Sequence, residues 1–111
     1  NYKFTLYSLD GFRFNQKIEI DSISENDKGL YYFGKRYSKN GKFCHKCLYL
    51  GKSDNLYQRP LTSSHEKWDK LKENECNCIG IYKCKCNENP KDIESQILAK
   101  HKFTLNIQEN A

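Results

Sequence analysis

Five side chains of this sequence are of the types that hydrolysis of a phosphodiester bond requires. That reaction needs an activated water, a counter-charge for the transition state and help for the leaving oxygen. One helical carboxylate can hold a hydrated Mg²⁺, and an arginine fork or a lysine can bind the phosphate. A tyrosine hydroxyl beside cations loses its proton more easily and can act as general base or position the water. The candidates are Glu94 for the metal, Arg59 and Lys52 for the phosphate, and Tyr31 and Tyr49 for the water.

The spacing of these residues resembles that of the GIY-YIG nuclease superfamily. The triplet Gly-Leu-Tyr that ends at Tyr31 and the triplet Tyr-Leu-Gly that begins at Tyr49 correspond to its two name motifs, each with Ile replaced by Leu. Arg59 follows Tyr49 by ten residues, the spacing that the family uses for its conserved arginine. The segment DIESQILAKHKFTLN is similar to the family's acidic-helix motif and terminal asparagine, with Glu94 followed twelve residues later by Asn106.

The resemblance covers residues 29–107 and implies a small endonuclease that uses Mg²⁺ or Mn²⁺ to cleave DNA, with double-stranded DNA as the expected substrate. It identifies Glu94 as the metal ligand and adds Asn106 to the candidate site residues. DNA rather than RNA is implied by the resemblance alone. Two other functions stay open: a non-catalytic nucleic-acid-binding module of the same fold, and a zinc-stabilised interaction domain.

Two features depart from the family pattern. Seventeen residues separate the two motif tyrosines, where the family usually has ten or so, and we expect a longer hairpin turning at Asn40-Gly41 to absorb the surplus. The family often places His or Tyr four residues after the arginine, where this chain has Ser63. His65 follows two residues later, and we expect a kink at Pro60 to return its imidazole to the site as a catalytic group.

Each candidate also has an ordinary structural interpretation. An isolated tyrosine in a strand usually packs in the core or across strands, and a glutamate in the first turn of a helix is favoured by the helix dipole. Lys52 is one of many lysines, and Asn106 fits a turn as well as a site. For Tyr49 and Arg59 together, the spacing favours the functional interpretation.

The six cysteines form a second group of candidates, arranged as one CxxC and two CxC pairs. A CxxC pair together with a downstream pair can bind Zn²⁺ tetrahedrally, so Cys44, Cys47, Cys84 and Cys86 are candidates for a structural zinc site. Reduced thiols fit the sequence equally well. Disulfides are less expected because nothing in the sequence indicates secretion.

An α+β fold must position these residues. Asp-Gly and Asn-Gly turns between alternating bulky and polar residues predict two hairpins, and Asn89-Pro90 predicts a capped helix start. We predict a small antiparallel sheet, three core strands plus an N-terminal β-hairpin, flanked by helices. The predicted strands are 2–7, 12–20, 29–37, 42–51 and 78–86, and the predicted helices are 64–73 and 90–102.

Length and charge set the remaining expectations. The 111 residues divide into an N-terminal hairpin and linker, 1–28, and a nuclease-like domain, 29–111. The first part carries a net charge of −1 and the second +6, which fits a polyanion such as nucleic acid or simply a solvated lysine-rich surface. No apolar run reaches the length of a membrane span, so we expect no membrane partner. The resemblance to nucleases that work inside cells implies a cytoplasmic location, and nothing in the sequence indicates secretion. The oligomeric state stays open, and a dimer is compatible with the sequence.

Overall fold

The computed structural model describes residues 2–9, 18–20, 22–62 and 67–106. Its centre is a four-stranded antiparallel sheet with strand order β1-β4-β2-β3. Helices flank this sheet, which confirms the predicted α+β class. The elements in chain order are β1 (Thr5–Ser8), β2 (Gly29–Lys39), β3 (Lys42–Ser53), α1 (Trp68–Glu73), β4 (Cys78–Lys83) and α2 (Pro90–Lys100).

The β2–β3 hairpin is the longest feature of the sheet, and its turn is the one predicted. Asn40 has φ 54° and Gly41 has φ 76°, so both central residues lie in the left-handed region that a tight hairpin turn of this kind requires. The register shifts between Phe33 and Gly34, where the opposite strand holds one extra residue. The extra residue is Leu48, and the bulge places it in the same core cluster as its neighbour Tyr49.

The N-terminal strand pairs with a distant partner. β1 lies antiparallel to β4, with Thr5 opposite Ile81 and Ser8 opposite Cys78. The sequence predicts the segment 12–20 as the partner of this strand. Residues 10–17 lie outside the described residues, and residues 18–20 are described without a strand. The chain before β1 is held by aromatic packing, since the ring of Phe4 lies 5.2 Å from that of Tyr32 in a T-shaped arrangement.

The sheet buries side chains on both faces, because strand side chains alternate between them. One face packs beneath the turn and helix that follow β3, and the other beneath α2 and the chain after it. The first core includes Tyr31, Phe33, Leu56, Leu61, Leu71, Ile79 and Ile81. The second core is formed by Leu30, Leu50, Ile93 and Phe103.

The chain between β3 and α1 contains the predicted interruption at Pro60. An irregular helical turn spans Tyr57–Thr62, but at Arg59 the backbone is extended, with φ −137° and ψ 116°, and the Arg59–Pro60 peptide is cis. The residue before a proline is disfavoured in helical geometry, which explains the break. The described part of α1 begins at Trp68; residues 64–66 of the predicted helix, including His65, lie outside the described residues.

The last helix begins as predicted. The side chain of Asn89 accepts a hydrogen bond from the backbone N–H of Lys91 at 3.0 Å, and Pro90 occupies the first turn, where its missing N–H costs nothing. The helix ends at Lys100, two residues before the predicted end. None of the helices in the described ranges is both long enough and apolar enough to cross a membrane.

Candidate active site

The Tyr31 ring occupies the space that a side chain at position 51 would fill. Tyr31 on β2 lies directly opposite Gly51 on β3. A Cβ atom at Gly51 would come within 2.9 Å of the ring carbon Cε1 and closer still to Cζ and the hydroxyl oxygen. The phenol therefore lies across the backbone of β3, and its hydroxyl is at the edge strand of the sheet. The glycine of the Tyr-Leu-Gly triplet is required by this close approach.

The two motif tyrosines pack against one another in the core. Tyr31 is 1% exposed and Tyr49 is 8% exposed, and their ring centroids are 6.3 Å apart. The ammonium of Lys67 lies 5.9 Å from the centroid of the Tyr49 ring, within cation–π range. Both tyrosines thus have the core role that their strand positions allow. A further role of the Tyr31 and Tyr49 hydroxyls in catalysis stays a prediction.

Lys52 and Glu94 meet on the opposite face of the sheet. Lys52 follows Gly51, so its side chain points to the face on which α2 packs. Its Nζ lies 3.9 Å from Oε1 of Glu94, with the two side chains 47% and 21% exposed. The pair brings a cation and a carboxylate together. Because it is long and partly solvated, it adds little to the free energy of unfolding.

Glu94 is also the residue predicted to bind a divalent cation. Mg²⁺ usually keeps several waters and needs only one or two carboxylates, and the Glu94 side chain is partly exposed to solvent. Within the described residues, no group of three or more His, Cys, Asp or Glu side chains is arranged to hold a metal ion. One carboxylate is compatible with a hydrated Mg²⁺ or Mn²⁺, and metal binding by Glu94 stays a prediction.

Arg59 is placed just beyond β3 by a hydrogen-bonded turn. The Ser53 hydroxyl accepts a bond from the N–H of Asn55 at 3.1 Å, and the Asn55 side chain accepts one from the N–H of Gln58 at 3.0 Å. The backbone N–H of Arg59 donates to the Asn55 carbonyl at 2.9 Å. The backbone of Arg59 is thus held at the end of the strand that carries Lys52, and the Arg59 side chain is partly buried.

Asn106 uses both ends of its buried side-chain amide on the backbone of β3. Its Oδ1 accepts from the N–H of Leu50 at 2.8 Å, and its Nδ2 donates to the Leu50 carbonyl at 2.9 Å. The preceding residue continues this edge pairing, since the N–H of Leu105 donates to the Leu48 carbonyl at 2.7 Å. Asn106 therefore imitates a strand residue and holds the backbone next to Gly51 in place. Direct contact with substrate stays a prediction.

The four predicted zinc ligands lie at two ends of the sheet. Cys44 pairs with Tyr37 near the hairpin tip, whereas Cys84 follows β4 beside Lys28. Along the chain of β2 these positions, beside Tyr37 and Lys28, are separated by about 30 Å at roughly 3.3 Å per residue. The structure does not bring Cys44 and Cys47 together with Cys84 and Cys86, and all are free thiols. Burial raises the pKa of Cys47 and of Cys84, which favours the protonated thiol.

Tyr32, the neighbour of Tyr31, is not suited to proton transfer at neutral pH. Burial is the largest cause that raises the pKa of Tyr32 to about 12, followed by the nearby Cys78 and Cys47. The His45 ring lies 5.5 Å away in a T-shaped contact, and burial together with Arg36 lowers the pKa of His45. A neutral tyrosine and a neutral histidine therefore face each other at neutral pH.

Reasoning from the sequence missed two contacts of the candidate site. The first is the close contact at Gly51. A glycine inside a strand often marks such a contact, but the sequence does not show that the Tyr31 ring makes it. Lys67 has no local signal, because only the packing of α1 against the sheet brings it to Tyr49. Together, the ring of Tyr31 on one face and the Lys52–Glu94 pair on the other border the same step of β3.

Comparison of the chain with protein-family models, curated proteins and solved structures finds no match.

Proposed function

We propose that this protein is a divalent-metal-dependent endonuclease that hydrolyses phosphodiester bonds in DNA. The observation that supports the proposal is the Lys52–Glu94 pair, which brings a cation and a carboxylate together beside Gly51, the residue whose other face is covered by the Tyr31 phenol. A nucleophile-positioning group, a phosphate-binding cation and a metal ligand are the parts that this hydrolysis needs. Tyr31 belongs to the first triplet, Lys52 follows the second, and Glu94 belongs to the acidic-helix segment.

The chain's own residues divide the work as follows. Glu94 would hold the Mg²⁺ or Mn²⁺ ion, which supplies positive charge to the phosphate and lowers the pKa of bound water. Lys52 binds a non-bridging phosphate oxygen as a point charge, and Arg59 can hold two oxygens with its planar fork. The Tyr31 hydroxyl orients the attacking water or accepts its proton. His65, which lies outside the described residues, stays a predicted catalytic group that would act as general base or orient Tyr31.

The decisive experiment replaces Glu94 by Gln, which keeps the shape of the side chain and removes the anionic ligand. We expect Glu94→Gln to bind DNA like the wild type and to lose nicking of supercoiled plasmid in Mg²⁺ or Mn²⁺. The matched control is Glu73→Gln on α1, the same chemical change at an exposed carboxylate paired with Lys70. It should cut at the wild-type rate.

Two results would contradict the proposal. Wild-type cutting by Glu94→Gln would place the metal elsewhere. A wild-type protein that binds DNA but does not cut it with either metal, and is unaffected by chelator, would be a non-catalytic nucleic-acid-binding module.

A further inference from the structure

The β2–β3 hairpin extends well beyond the rest of the sheet. β4 pairs with β2 only from Gly29 to Gly34, whereas β2 and β3 stay paired with each other as far as Lys39 and Lys42. We call residues 35–46 the basic arm. Its base is fixed by the Asn77 side chain, which bonds to both the N–H and the carbonyl of Arg36 at 2.8 Å. Among the described residues, the arm past that point is a two-stranded ribbon.

The basic arm carries the entire net charge of the protein. It holds five of the nineteen Lys and Arg residues and none of the fourteen Asp and Glu residues, which leaves fourteen of each sign in the rest of the chain. At its base Lys35 forms an ion pair with Glu75 at 2.8 Å. The remaining cations are exposed to solvent. Charge of one sign concentrated on a projecting element is the electrostatic pattern of a polyanion-binding surface.

The arm also presents aromatic rings to solvent. Phe43 is 86% exposed and Tyr37 is 40% exposed. Strand alternation places Tyr37 on the same face as Lys39, Lys42 and Lys46, and Phe43 on the other face with Arg36. Each face of the ribbon therefore combines a ring with at least one cation, the combination that contacts bases and phosphates together.

We propose that the basic arm is a β-ribbon that enters the major groove of duplex DNA. The major groove of B-DNA is wide enough for a two-stranded ribbon, and its walls are lined with phosphates. Lys39 and Lys42 at the turn and Lys46 further back contact the two phosphate walls, and Phe43 packs on base edges such as the thymine methyl group. The proposal rests on the proposed function, since it assigns the binding surface for the same DNA substrate.

The position of the arm is compatible with binding and cutting on one duplex. Phe43 and Gly51 lie on the same strand and are about 26 Å apart at roughly 3.3 Å per residue. That distance is less than one helical repeat of B-DNA, about 34–36 Å. The arm can therefore set where along the duplex the Gly51–Lys52 step meets the backbone.

The experiment measures binding without cleavage. A fluorescein-labelled DNA duplex is titrated in chelator at several KCl concentrations, and fluorescence anisotropy is followed. The arm variant is the double substitution Lys39→Gln with Lys42→Gln. The matched control is Lys100→Gln with Lys102→Gln, two exposed lysines at the end of α2 and just beyond it. Loss of two phosphate contacts should reduce the slope of log affinity against log salt by about 1.8 and weaken binding on the order of tenfold. The control should keep the wild-type slope.

A second variant isolates the aromatic contact. Phe43→Ser should weaken duplex binding several-fold and leave the salt slope unchanged, because no charge is removed. A duplex RNA of the same sequence should bind the wild type weakly, because its major groove is too deep and narrow for the ribbon. All three variants alter exposed side chains, so their melting temperatures should match the wild type.

The outcomes separate the two proposals. Equal salt slopes and affinities for the arm variant and the control overturn the arm assignment, and so does equal binding of duplex RNA and duplex DNA. A wild-type protein that binds through the arm but never cuts overturns the proposed nuclease activity and leaves the arm assignment standing. An arm variant that binds and cuts DNA like the wild type overturns the arm assignment and leaves the proposed nuclease activity standing.

Discussion

Replacing Gly51 by Ala tests the geometry on which the candidate site depends. The new methyl group would press on the end of the Tyr31 ring, 2.9 Å from Cε1 and nearer to Cζ and the hydroxyl. The ring has little freedom to retreat, since it is 1% exposed and its centroid is 5.8 Å from that of Phe33. Overpacking of this kind costs about 1–3 kcal/mol. In a domain of this size that is a fall in melting temperature of about 4 °C per kcal/mol.

The cost should depend on the ring. In a Tyr31→Leu background the atoms that the new methyl group would meet are absent, so adding Gly51→Ala should cost less than in the wild type. Urea denaturation of the four proteins gives the coupling free energy, which we expect to be about 0.5–3 kcal/mol. Gly34→Ala is the control: its methyl would meet the end of the His45 side chain at 2.7 Å, and its cost should be independent of residue 31.

Activity should fall with the ring's displacement. A shift of the Tyr31 hydroxyl by even 1 Å is enough to lower a positioned hydrolysis about 10²-fold. We therefore expect Gly51→Ala to lose nicking activity at a temperature where it is still folded. An equal cost of Gly51→Ala in both backgrounds would refute the packing argument, and wild-type nicking by Gly51→Ala would remove Tyr31 from the site.

Three further perturbations have defined outcomes. Arg59→Ala should lower the cleavage rate about 10²–10³-fold, with partial recovery in Arg59→Lys because an ammonium lacks the bidentate fork; full activity in Arg59→Ala would make it a surface charge. Asn106→Ala should destabilise the fold by about 2–4 kcal/mol in urea denaturation, because it leaves a buried N–H and carbonyl of Leu50 without partners; lost activity with unchanged stability would instead indicate contact with substrate. Since the pKa of Tyr32 in the folded protein is about 12 against 10.0 normally, its contribution to stability should be complete below pH 10 and decline up to about pH 12. Tyr32→Phe should flatten that decline in a pH series of urea midpoints, and an unchanged slope would show that another group is responsible.

Local signals predicted the parts of the fold that depend on neighbouring residues. Asn40-Gly41 specifies its turn because both residues tolerate positive φ, and Asn89-Pro90 specifies a helix start through one side-chain bond and one fixed φ. The interruption at Pro60 follows from the same kind of short-range restriction. Each of these features is decided within two or three residues of chain.

Long-range pairing could not be read from the sequence. β1 has an alternating pattern that fits any strand partner, and the structure pairs it with β4, whose residues are 70 to 76 positions further along the chain. The pairing of Asn106 with Leu50 joins residues fifty-six apart, and an asparagine in that position has no local signature. The separation of Cys44 from Cys84 is likewise set by the direction of the strands and not by the spacing of the cysteines.

Three independent contacts fix the same short stretch of β3. Asn106 holds Leu50 through two hydrogen bonds, Leu50 is buried beneath α2, and Gly51 is covered by the Tyr31 ring. Lys52, the next residue, is thereby held against Glu94 although their ion pair is long and weak. The precision of the candidate site therefore comes from the buried residues that precede Lys52 and not from the charged pair. Substitutions at these buried positions should consequently change activity and stability together, whereas Glu94→Gln should change activity alone.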